Sequence, residues 1–126
     1  MIAMAIRVVD ASAIAAILFD EPRAETVATE IGDHTLAAPA LLEYELGNVC
    51  WKKCRRHPHL ADLFRTAFEK LREFDLQLHD VEAAGVLGLA MRSEITFYDA
   101  SYLWLARTLA APLITLDGQL AARSAR

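Results

Sequence analysis

Residues 96–117 read TFYDASYLWLARTLAAPLITLD and predict one helix followed by one short strand. The helix is expected to open at Asp99 and to break at Pro112, and the apolar strand after it is expected to end at Asp117. In an open parallel α/β sheet, ligands collect at the carboxyl ends of the strands. We therefore expect Asp117 to lie at that edge and to meet Asp99, which stands in the first turn of the helix.

A related unit begins the chain. Residues 6–10 predict a short buried strand, and residues 11–19 predict the helix that follows it. Asp10 stands at the carboxyl end of this strand, as Asp117 does on its own. Two strand ends with the same residue type are therefore expected at one edge of the sheet.

Helix capping is an alternative explanation for some of these acids. Thr96 and Asp99 fit the S/T-x-x-D/E capping pattern. Asp10 is also placed to cap or turn the chain into the first helix, and Ser12 is a further capping candidate. The sequence leaves the choice between cap and site residue open at both acids.

The helix predicted over residues 40–56 supplies a further acid. Apolar residues recur along it at helical spacing and mark its core face. Glu45 falls beside that stripe with Asn48 three residues later on the same side, whereas Glu43 points about 160° away from Glu45. A carboxylate at the edge of an apolar face is costly to desolvate unless it is paired or bound to a metal. Glu45 is therefore the site candidate, and Glu43 is expected to be solvated.

The rest of the chain continues the alternation of strands and helices. Further strands are predicted at residues 34–38 and 76–79, and further helices at residues 23–31, 60–74, 81–91 and 120–126. Such an alternation predicts a parallel, doubly wound sheet. Right-handed crossovers then bring the carboxyl ends of the strands to one edge.

Four acids are expected to converge at that edge, namely Asp10, Glu45, Asp99 and Asp117. No cations match them, and such a cluster repels itself unless hard divalent ions neutralise it. Carboxylate oxygens favour Mg²⁺ or Mn²⁺. The four carboxylates carry −4, which equals the net charge of the chain, so two divalent ions would cancel the charge of the cluster and one would halve it; one or two bound ions are expected. Two metal ions about 3.5–4 Å apart suit the attack of water on a phosphodiester.

Length and composition restrict the class of protein. The chain has 126 residues, enough for one domain with its own core. Although 55 % of them are hydrophobic, no apolar run approaches the roughly 18–20 residues that span a bilayer. Arg7 and Asp10 interrupt the apolar N-terminus, so no export signal is expected. Cys50 and Cys54 lack a completing metal-ligand spacing, and we expect them to be reduced and packed in a cytoplasmic protein.

Four basic residues end the middle helix: Lys52, Lys53, Arg55 and Arg56. One explanation is that positive charge interacts favourably with a helix C-terminus. The other is a phosphate-binding edge that contacts RNA. The net charge of −4 argues against a generally basic nucleic-acid binder, but it does not exclude a local contact beside a metal-bound acidic site.

The helix that begins at Asp99 is apolar nearly all round. Trp104 lies three residues after Ser101 and four before Thr108, so it shares their narrow polar stripe. An aromatic residue on the least buried side of a helix suggests that a second surface covers it. A homodimer or a tight partner is one explanation, and a half-exposed Trp104 is the other.

Three pieces of the sequence resemble the PIN-domain ribonucleases, and most closely the VapC toxins of bacterial toxin–antitoxin pairs. The pieces are VVDASAI at residues 8–14, APALLEYELGN at residues 38–48, and the segment at residues 96–117. Their order and spacing match over essentially the whole chain, so the resemblance implies one domain at residues 1–126. It implies an α/β fold of the PIN type, a three-layer α/β/α domain with a mostly parallel sheet of four to five short strands.

The resemblance also implies an activity. Members of this family are Mg²⁺- or Mn²⁺-dependent endoribonucleases that cut structured RNA, often transfer or ribosomal RNA, and so stop translation. They are typically homodimers and are held inactive by a cognate antitoxin, here one of the VapB kind. The resemblance assigns metal binding to Asp10, Asp99 and Asp117, and binding of metal or orientation of water to Glu45. Hydrogen-bonding neighbours of the site are expected at Ser12, Asn48 and Thr115.

Two other functions remain open on the sequence. One is another metal-dependent phosphate-ester hydrolase, such as a phosphatase or a DNA nuclease. A phosphatase of the aspartyl-phosphate kind usually has a second Asp two residues after the first, and Ser12 occupies that place. The other is a non-catalytic module that binds RNA or a protein partner.

Overall fold

The computed structural model describes residues 5–125. Its strands are β1 (Ile6–Val9), β2 (Thr35–Pro39), β3 (Leu76–His79) and β4 (Leu113–Ile114). Its helices are α1 (Ala11–Leu18), α2 (Ala24–Ile31), α3 (Leu42–Arg56), α4 (Ala61–Glu69), α5 (Ala83–Ser93), α6 (Phe97–Thr108) and α7 (Gly118–Ser124). Short 3₁₀ turns at Pro58–Leu60 and Lys70–Glu73 flank α4.

The four strands form one parallel sheet in the order β3-β2-β1-β4. Val8 of β1 pairs with Ala37 of β2 on one side and with Leu113 of β4 on the other. The α/β class and the four-stranded parallel sheet confirm the predicted fold. The chain leaves β1 towards β2 and returns beside it as β4, so the strand order reverses between β1 and β4. In open α/β sheets, ligands bind outside the carboxyl ends of the strands at such a reversal.

Alternate residues of the strands contribute to cores on opposite faces of the sheet. Val9 and Ala38 pack in one cluster with Ile14 of α1, while Val8 packs in another with Leu105 of α6. All five side chains are buried. The sheet is therefore the middle layer of three, and α1 and α6 are held rigidly against its two faces.

Element boundaries differ from the predicted ones where tertiary pairing competes with local pattern. The middle helix begins at Leu42 rather than at residue 40, because β2 continues through Pro39, which pairs with His79. The helix predicted over residues 60–74 ends as an α-helix at Glu69 and continues as a 3₁₀ turn. The terminal helix runs from Gly118 to Ser124, and Arg126 lies outside the described residues.

The surface that covers Trp104 is part of the same chain. Trp104 is half-buried against Val86 and Ala90 of α5, and its indole Nε1 lies 3.0 Å from where a Cβ at Gly85 would stand. Ser101 is fully buried, and its hydroxyl donates a 2.6 Å hydrogen bond to the carbonyl of Tyr98. The predicted polar stripe is therefore wrong at Ser101 but correct at Thr108, which is exposed, and Trp104 is half-exposed, as the second explanation expected; it gives no independent support for a homodimer.

No helix among residues 5–125 combines the length and the apolar character needed to cross a bilayer. Both cysteines are free thiols, with Cys50 buried and Cys54 half-buried. Burial of Cys50, together with the neighbouring Cys54, raises the pKa of the Cys50 thiol to about 11. The expectation that both cysteines are packed is confirmed, with Cys50 Sγ donating to the carbonyl of Phe64 and Cys54 Sγ to that of Ala61.

Candidate active site

Asp10 lies at the point where the strand order reverses. Its backbone N–H donates to the carbonyl of Ile114, which ties the end of β1 to the end of β4 at 3.2 Å. Its side chain is buried and caps α1, with Oδ1 accepting from the N–H of Ala13 at 3.0 Å. The capping explanation and the sheet-edge explanation of Asp10 are thus compatible, because a helix that starts directly after a strand begins at the sheet edge.

Two hydroxyl groups complete the hydrogen bonds of the Asp10 carboxylate. Ser12 donates to Oδ1 at 2.7 Å, and Thr115 donates to Oδ2. The same hydroxyls accept backbone N–H groups of the β4–α7 loop, Leu116 to Ser12 at 2.9 Å and Asp117 to Thr115 at 3.0 Å. Ser12 therefore does not cap α1. It and Thr115 join the loop that carries Asp117 to the carboxylate of Asp10.

Asp99 and Asp117 lie at the starts of the last two helices of the chain, α6 and α7. Asp117 is exposed and caps α7, with Oδ1 accepting from the N–H groups of Gln119 at 2.9 Å and Leu120 at 3.1 Å. The cap of α6 is Thr96, whose Oγ1 accepts from the backbone N–H of Asp99 at 3.1 Å. The predicted Thr96 cap is confirmed: its hydroxyl accepts from the backbone N–H of Asp99, and it also stabilises the charged form of the Asp99 carboxylate.

Glu45 comes to the same edge from the first turn of α3. Its Oε1 accepts a 2.5 Å hydrogen bond from the hydroxyl of Tyr102, a residue of α6 that is only 1 % exposed. Glu43 is exposed, as predicted. Sequence reasoning missed Tyr102, although the spacing held a signal: it lies three residues after Asp99, so the two side chains share one face of α6.

The four acids lie within each other's electrostatic field. Burial raises the pKa of Asp10, Glu45 and Asp99, and nearby carboxylates raise it further. The hydrogen bonds from Ser12, Thr115 and Tyr102 act in the opposite direction, because they stabilise the charged form. Desolvation and repulsion between the carboxylates together raise these pKa values more than the hydrogen bonds lower them.

Four helix N-termini, rather than side-chain cations, accompany these acids. Asp10 and Asp117 cap α1 and α7, and Glu45 and Asp99 stand in the first turns of α3 and α6. Each helix start offers partial positive charge and free N–H groups. Within residues 5–125, the ion pairs are Lys53–Glu21 and Arg65–Asp62, and neither involves these four carboxylates. The edge therefore keeps an uncompensated negative charge.

The chemistry of this donor set fits a hard divalent cation. Its donors are carboxylate and hydroxyl oxygens, which Mg²⁺ and Mn²⁺ prefer. As the side chains stand, no three His, Cys, Asp or Glu residues among those described are close enough together to hold a metal ion. Binding would therefore require carboxylates such as Asp99 and Asp117, which are not fixed by burial, to turn towards Asp10.

Asn48 is not part of this arrangement in the structure. It is exposed on α3 and makes no side-chain hydrogen bond to the described residues. Its predicted role as a hydrogen-bonding neighbour of the site stays a prediction.

The four basic residues at the end of α3 fall into two groups in the structure. Lys53 donates to Glu21 at 3.1 Å and lies over the rings of Phe19 and Phe64, so it serves packing. Lys52, Arg55 and Arg56 are exposed, and the guanidinium of Arg55 stacks on Trp51, 5.0 Å from the ring centre. Only the exposed members present free charge to a ligand.

Comparison with known proteins gives consistent matches. The family model of the PIN domain matches residues 7–125. Ribonuclease VapC3 of Pyrobaculum aerophilum is 39 % identical over 122 residues, which cover 90 % of this chain and 91 % of that protein. Exonuclease VapC9 of the same organism is 36 % identical over 90 residues, or 71 % of this chain and 67 % of that protein.

Solved structures agree in fold. The crystal structure of PAE2754 from Pyrobaculum aerophilum superposes with a TM-score of 0.76 at 30 % identity, covering 96 % of this chain and 87 % of that one. VapC20 of Mycobacterium tuberculosis, a toxin that cleaves the sarcin–ricin loop, gives a TM-score of 0.69 at 16 % identity. That match covers 93 % of this chain and 94 % of the other, and at this identity it supports the fold alone.

Proposed function

The chain belongs to the PIN-domain family, and from that premise we propose that it is a Mg²⁺- or Mn²⁺-dependent endoribonuclease acting as a toxin. Its substrate in this proposal is structured RNA, transfer or ribosomal, and its cleavage inhibits translation. A cognate antitoxin of the VapB kind would neutralise it in the cytoplasm. We further propose that residues 1–126 form one domain and that two copies associate as a homodimer.

One observation carries the nuclease proposal. Four carboxylates, Asp10, Glu45, Asp99 and Asp117, stand at four helix starts around the reversal of strand order, and none has a cationic partner among the described residues. A protein gains little stability from such an arrangement, because the burial of Asp10 and the repulsion between carboxylates both disfavour the charged forms. A divalent ion would offset both terms.

The proposed roles follow from how each acid is held. Asp10, Asp99 and Asp117 would hold the metal. Bound Mg²⁺ or Mn²⁺ would supply positive charge to the scissile phosphate and lower the pKa of water. Ser12 and Thr115 keep the Asp10 carboxylate in one orientation through two hydrogen bonds.

Glu45 would orient the attacking water. Its Oε1 is occupied by the Tyr102 hydroxyl, which leaves Oε2 to accept the proton of that water. The water oxygen would bond to phosphorus while the bond from phosphorus to the leaving ribose oxygen breaks, and the leaving oxygen would take up a proton from solvent. Since deprotonation requires an ionised carboxylate, the hydrogen bond from Tyr102 favours the active form of Glu45.

The names of the two relatives leave the mode of cleavage to experiment, because one is called a ribonuclease and the other an exonuclease. A circular RNA separates the two modes, since it has no end from which an exonuclease can start. Linearisation of a circular RNA by the purified chain would support an endoribonuclease, and cutting of linear RNA alone would contradict it.

The experiment that tests the whole proposal is cleavage of total transfer RNA and of ribosomal RNA by the purified chain with Mg²⁺ or Mn²⁺. An EDTA sample and the Asp99→Asn variant serve as controls. Discrete cuts that need both the metal and the wild-type chain are expected. Binding of RNA without cleavage would instead favour a non-catalytic module, and cleavage of a phosphomonoester or DNA alone would favour another metal-dependent hydrolase.

A further inference from the structure

Three arginines from three successive helices surround one cavity on the side of the molecule formed by α5, α6 and α7. Arg92, Arg107 and Arg123 each lie in the last turn of their helix. With Ser93 and Glu94 they line a cavity of about 400 Å³. A single arginine in a last turn is explained by the helix dipole. That explanation does not account for three such side chains around a shared space, where their charges repel each other.

The positive charge of this group is not neutralised within residues 5–125. Neither of the two ion pairs found there involves these arginines. Glu94 is the one acid that lines the cavity, so the five lining residues carry three positive charges and one negative charge. Three arginines are thus gathered with a net charge of +2 at neutral pH.

The packing around the cavity positions two of the guanidinium groups. Nε of Arg123 donates a 2.8 Å hydrogen bond to the carbonyl of Ser93, which leaves the other N–H groups of Arg123 for a ligand. Arg92 folds back along α5 onto Gly88, where a Cβ would lie 3.1 Å from its Nη1. Arg92 and Arg107 also line a neighbouring cavity of about 420 Å³ between α5 and α6.

A phosphodiester group fits this arrangement chemically. The planar guanidinium offers paired N–H donors at the spacing of phosphate oxygens, and several arginines together bind phosphate more strongly than one. The cavity is larger than a single phosphate group, so it leaves room for the adjoining sugar.

The position of the cavity relates it to the four acids. α6 carries Asp99 in its first turn and Arg107 in its last, and α7 is capped by Asp117 and carries Arg123 in its last turn. At about 1.5 Å per residue, the backbone positions within each pair are roughly 9–12 Å apart along the helix. A strand stacked as in a double helix covers that distance in about three nucleotides at roughly 3.4 Å each, and a more extended single strand needs fewer.

We propose that Arg92, Arg107 and Arg123 form a phosphate-binding site that holds the RNA backbone a few nucleotides from the bond to be cut. This inference rests on the proposed function. An edge with four carboxylates repels a polyanionic substrate, and the chain as a whole is negative at −4. A local positive anchor at the opposite ends of α6 and α7 supplies the attraction that the reaction centre lacks. This argument favours RNA over an acidic peptide as the ligand.

The test compares two double variants that remove the same charge. Arg92→Gln with Arg107→Gln changes the exposed members of the cavity and leaves the hydrogen-bonded Arg123 in place. Arg23→Gln with Arg65→Gln is the matched control, because both residues are exposed on other helices. Binding of a short fluorescent single-stranded RNA is measured in EDTA at several salt concentrations, and thermal unfolding establishes that all chains are folded.

The expected result is a loss of affinity of roughly 10- to 100-fold for the cavity variant and less than about twofold for the control. The slope of log affinity against log salt should fall by about 1.4, which corresponds to two phosphate contacts on a single strand. Arg92→Lys with Arg107→Lys should recover part of the affinity, because the charge returns without the paired donors. Equal losses in the two Gln variants, or no loss in either, would overturn the inference.

Three further outcomes distinguish the alternatives. If the cavity variant keeps its affinity for RNA but loses binding of a poly-glutamate peptide, the cavity serves an acidic protein segment and the RNA inference is wrong. If the wild type binds RNA through these arginines but never cuts it with Mg²⁺ or Mn²⁺, the proposed nuclease fails while the phosphate site stands. If the wild type cuts RNA but its binding does not depend on the arginines, the nuclease stands and the phosphate site fails.

Discussion

The hydroxyl of Tyr102 donates a 2.5 Å hydrogen bond to Oε1 of Glu45, across 57 positions of sequence. It joins the two helices that carry Glu45 and Asp99, and it is the contact that fixes the orientation of the Glu45 carboxylate. Tyr102 is buried and Glu45 half-buried, so the bond is shielded from water. The same contact raises the pKa of Tyr102, because burial and a neighbouring carboxylate both disfavour the phenolate.

Replacement of Tyr102 by Phe tests whether this bond positions Glu45. Loss of the donor should lower the free energy of unfolding by about 1–2 kcal/mol and reduce kcat about 10-fold or more. It should also raise the pKa of Glu45, so the acid limb of the pH–rate profile should move to higher pH. Tyr44→Phe, at a residue that is 80 % exposed, is the control. An unshifted pH profile would mean that Tyr102 serves packing only.

Replacement of Asp99 by Asn tests whether the Asp99 carboxylate stabilises the start of α6 or takes part in RNA cleavage. The cap of α6 uses the Thr96 hydroxyl and the backbone N–H of Asp99, which the substitution keeps. Stability should change by less than about 0.5 kcal/mol, while RNA cleavage should fall by at least about 100-fold. Asp33→Asn, an exposed position, is the matched control. Unfolding of the Asn variant in thermal denaturation would favour a structural role for the Asp99 carboxylate.

The stability of the metal-free chain should decrease as the pH rises from acidic to neutral values. A carboxyl whose pKa is raised on folding stabilises the folded state below its unfolded pKa of about 4, and this contribution is lost as the pH rises through the raised value. Asp10, Glu45 and Asp99 all shift this way. Thermal unfolding in EDTA should therefore show Tm falling as the pH rises above about 4, less steeply in Asp99→Asn. A Tm that rises over this range in the wild type would contradict the shifts.

Added Mg²⁺ or Mn²⁺ should reverse that loss at neutral pH. A ligand that binds only the folded state stabilises it by about 2.7 kcal/mol at 100 times its Kd. Calorimetric unfolding at pH 7 should show Tm rising with metal concentration in the wild type and rising much less in Asp99→Asn. The same titration with Na⁺ at equal ionic strength controls for general screening of the acids. An equal response to both salts would show that the edge binds no specific divalent ion.

The two lysines at the end of α3 should separate stability from RNA binding. Lys53→Gln removes an ion pair with Glu21 and contacts with two aromatic rings, so it should cost about 1 kcal/mol of stability. Lys52→Gln should leave the unfolding free energy unchanged, because Lys52 is exposed. If the exposed end of α3 contacts RNA, only Lys52→Gln should weaken RNA binding in a fluorescence titration. If Lys53→Gln weakened RNA binding strongly but changed stability little, Lys53 would be a residue that binds RNA and this assignment would be wrong.

Much of the fold could be predicted because it depends on local pattern. The alternation of apolar strands with amphipathic helices led to the parallel α/β class, and β3 was predicted at residues 76–79, where it lies. Capping chemistry identified Thr96, but α6 begins at Phe97 rather than at the predicted Asp99, and β4 ends at Ile114, three residues before the predicted Asp117. Which apolar residues of α4 are buried was not predicted: Leu63 is 63 % exposed, whereas Phe64 and Phe68 are half-buried.

The sequence by itself determined the residue types at the strand ends and helix starts, since a carboxylate after an apolar strand is a feature of neighbouring positions. The tertiary structure alone decided which of these groups meet. Thr115 contacts Asp10 across 105 positions, Tyr102 reaches Glu45, and α5 covers Trp104. Periodicity states which face of a helix is apolar, but sheet order and helix crossing determine what packs on it. The same reason explains why the three arginines of α5, α6 and α7, unremarkable along the chain, share one cavity.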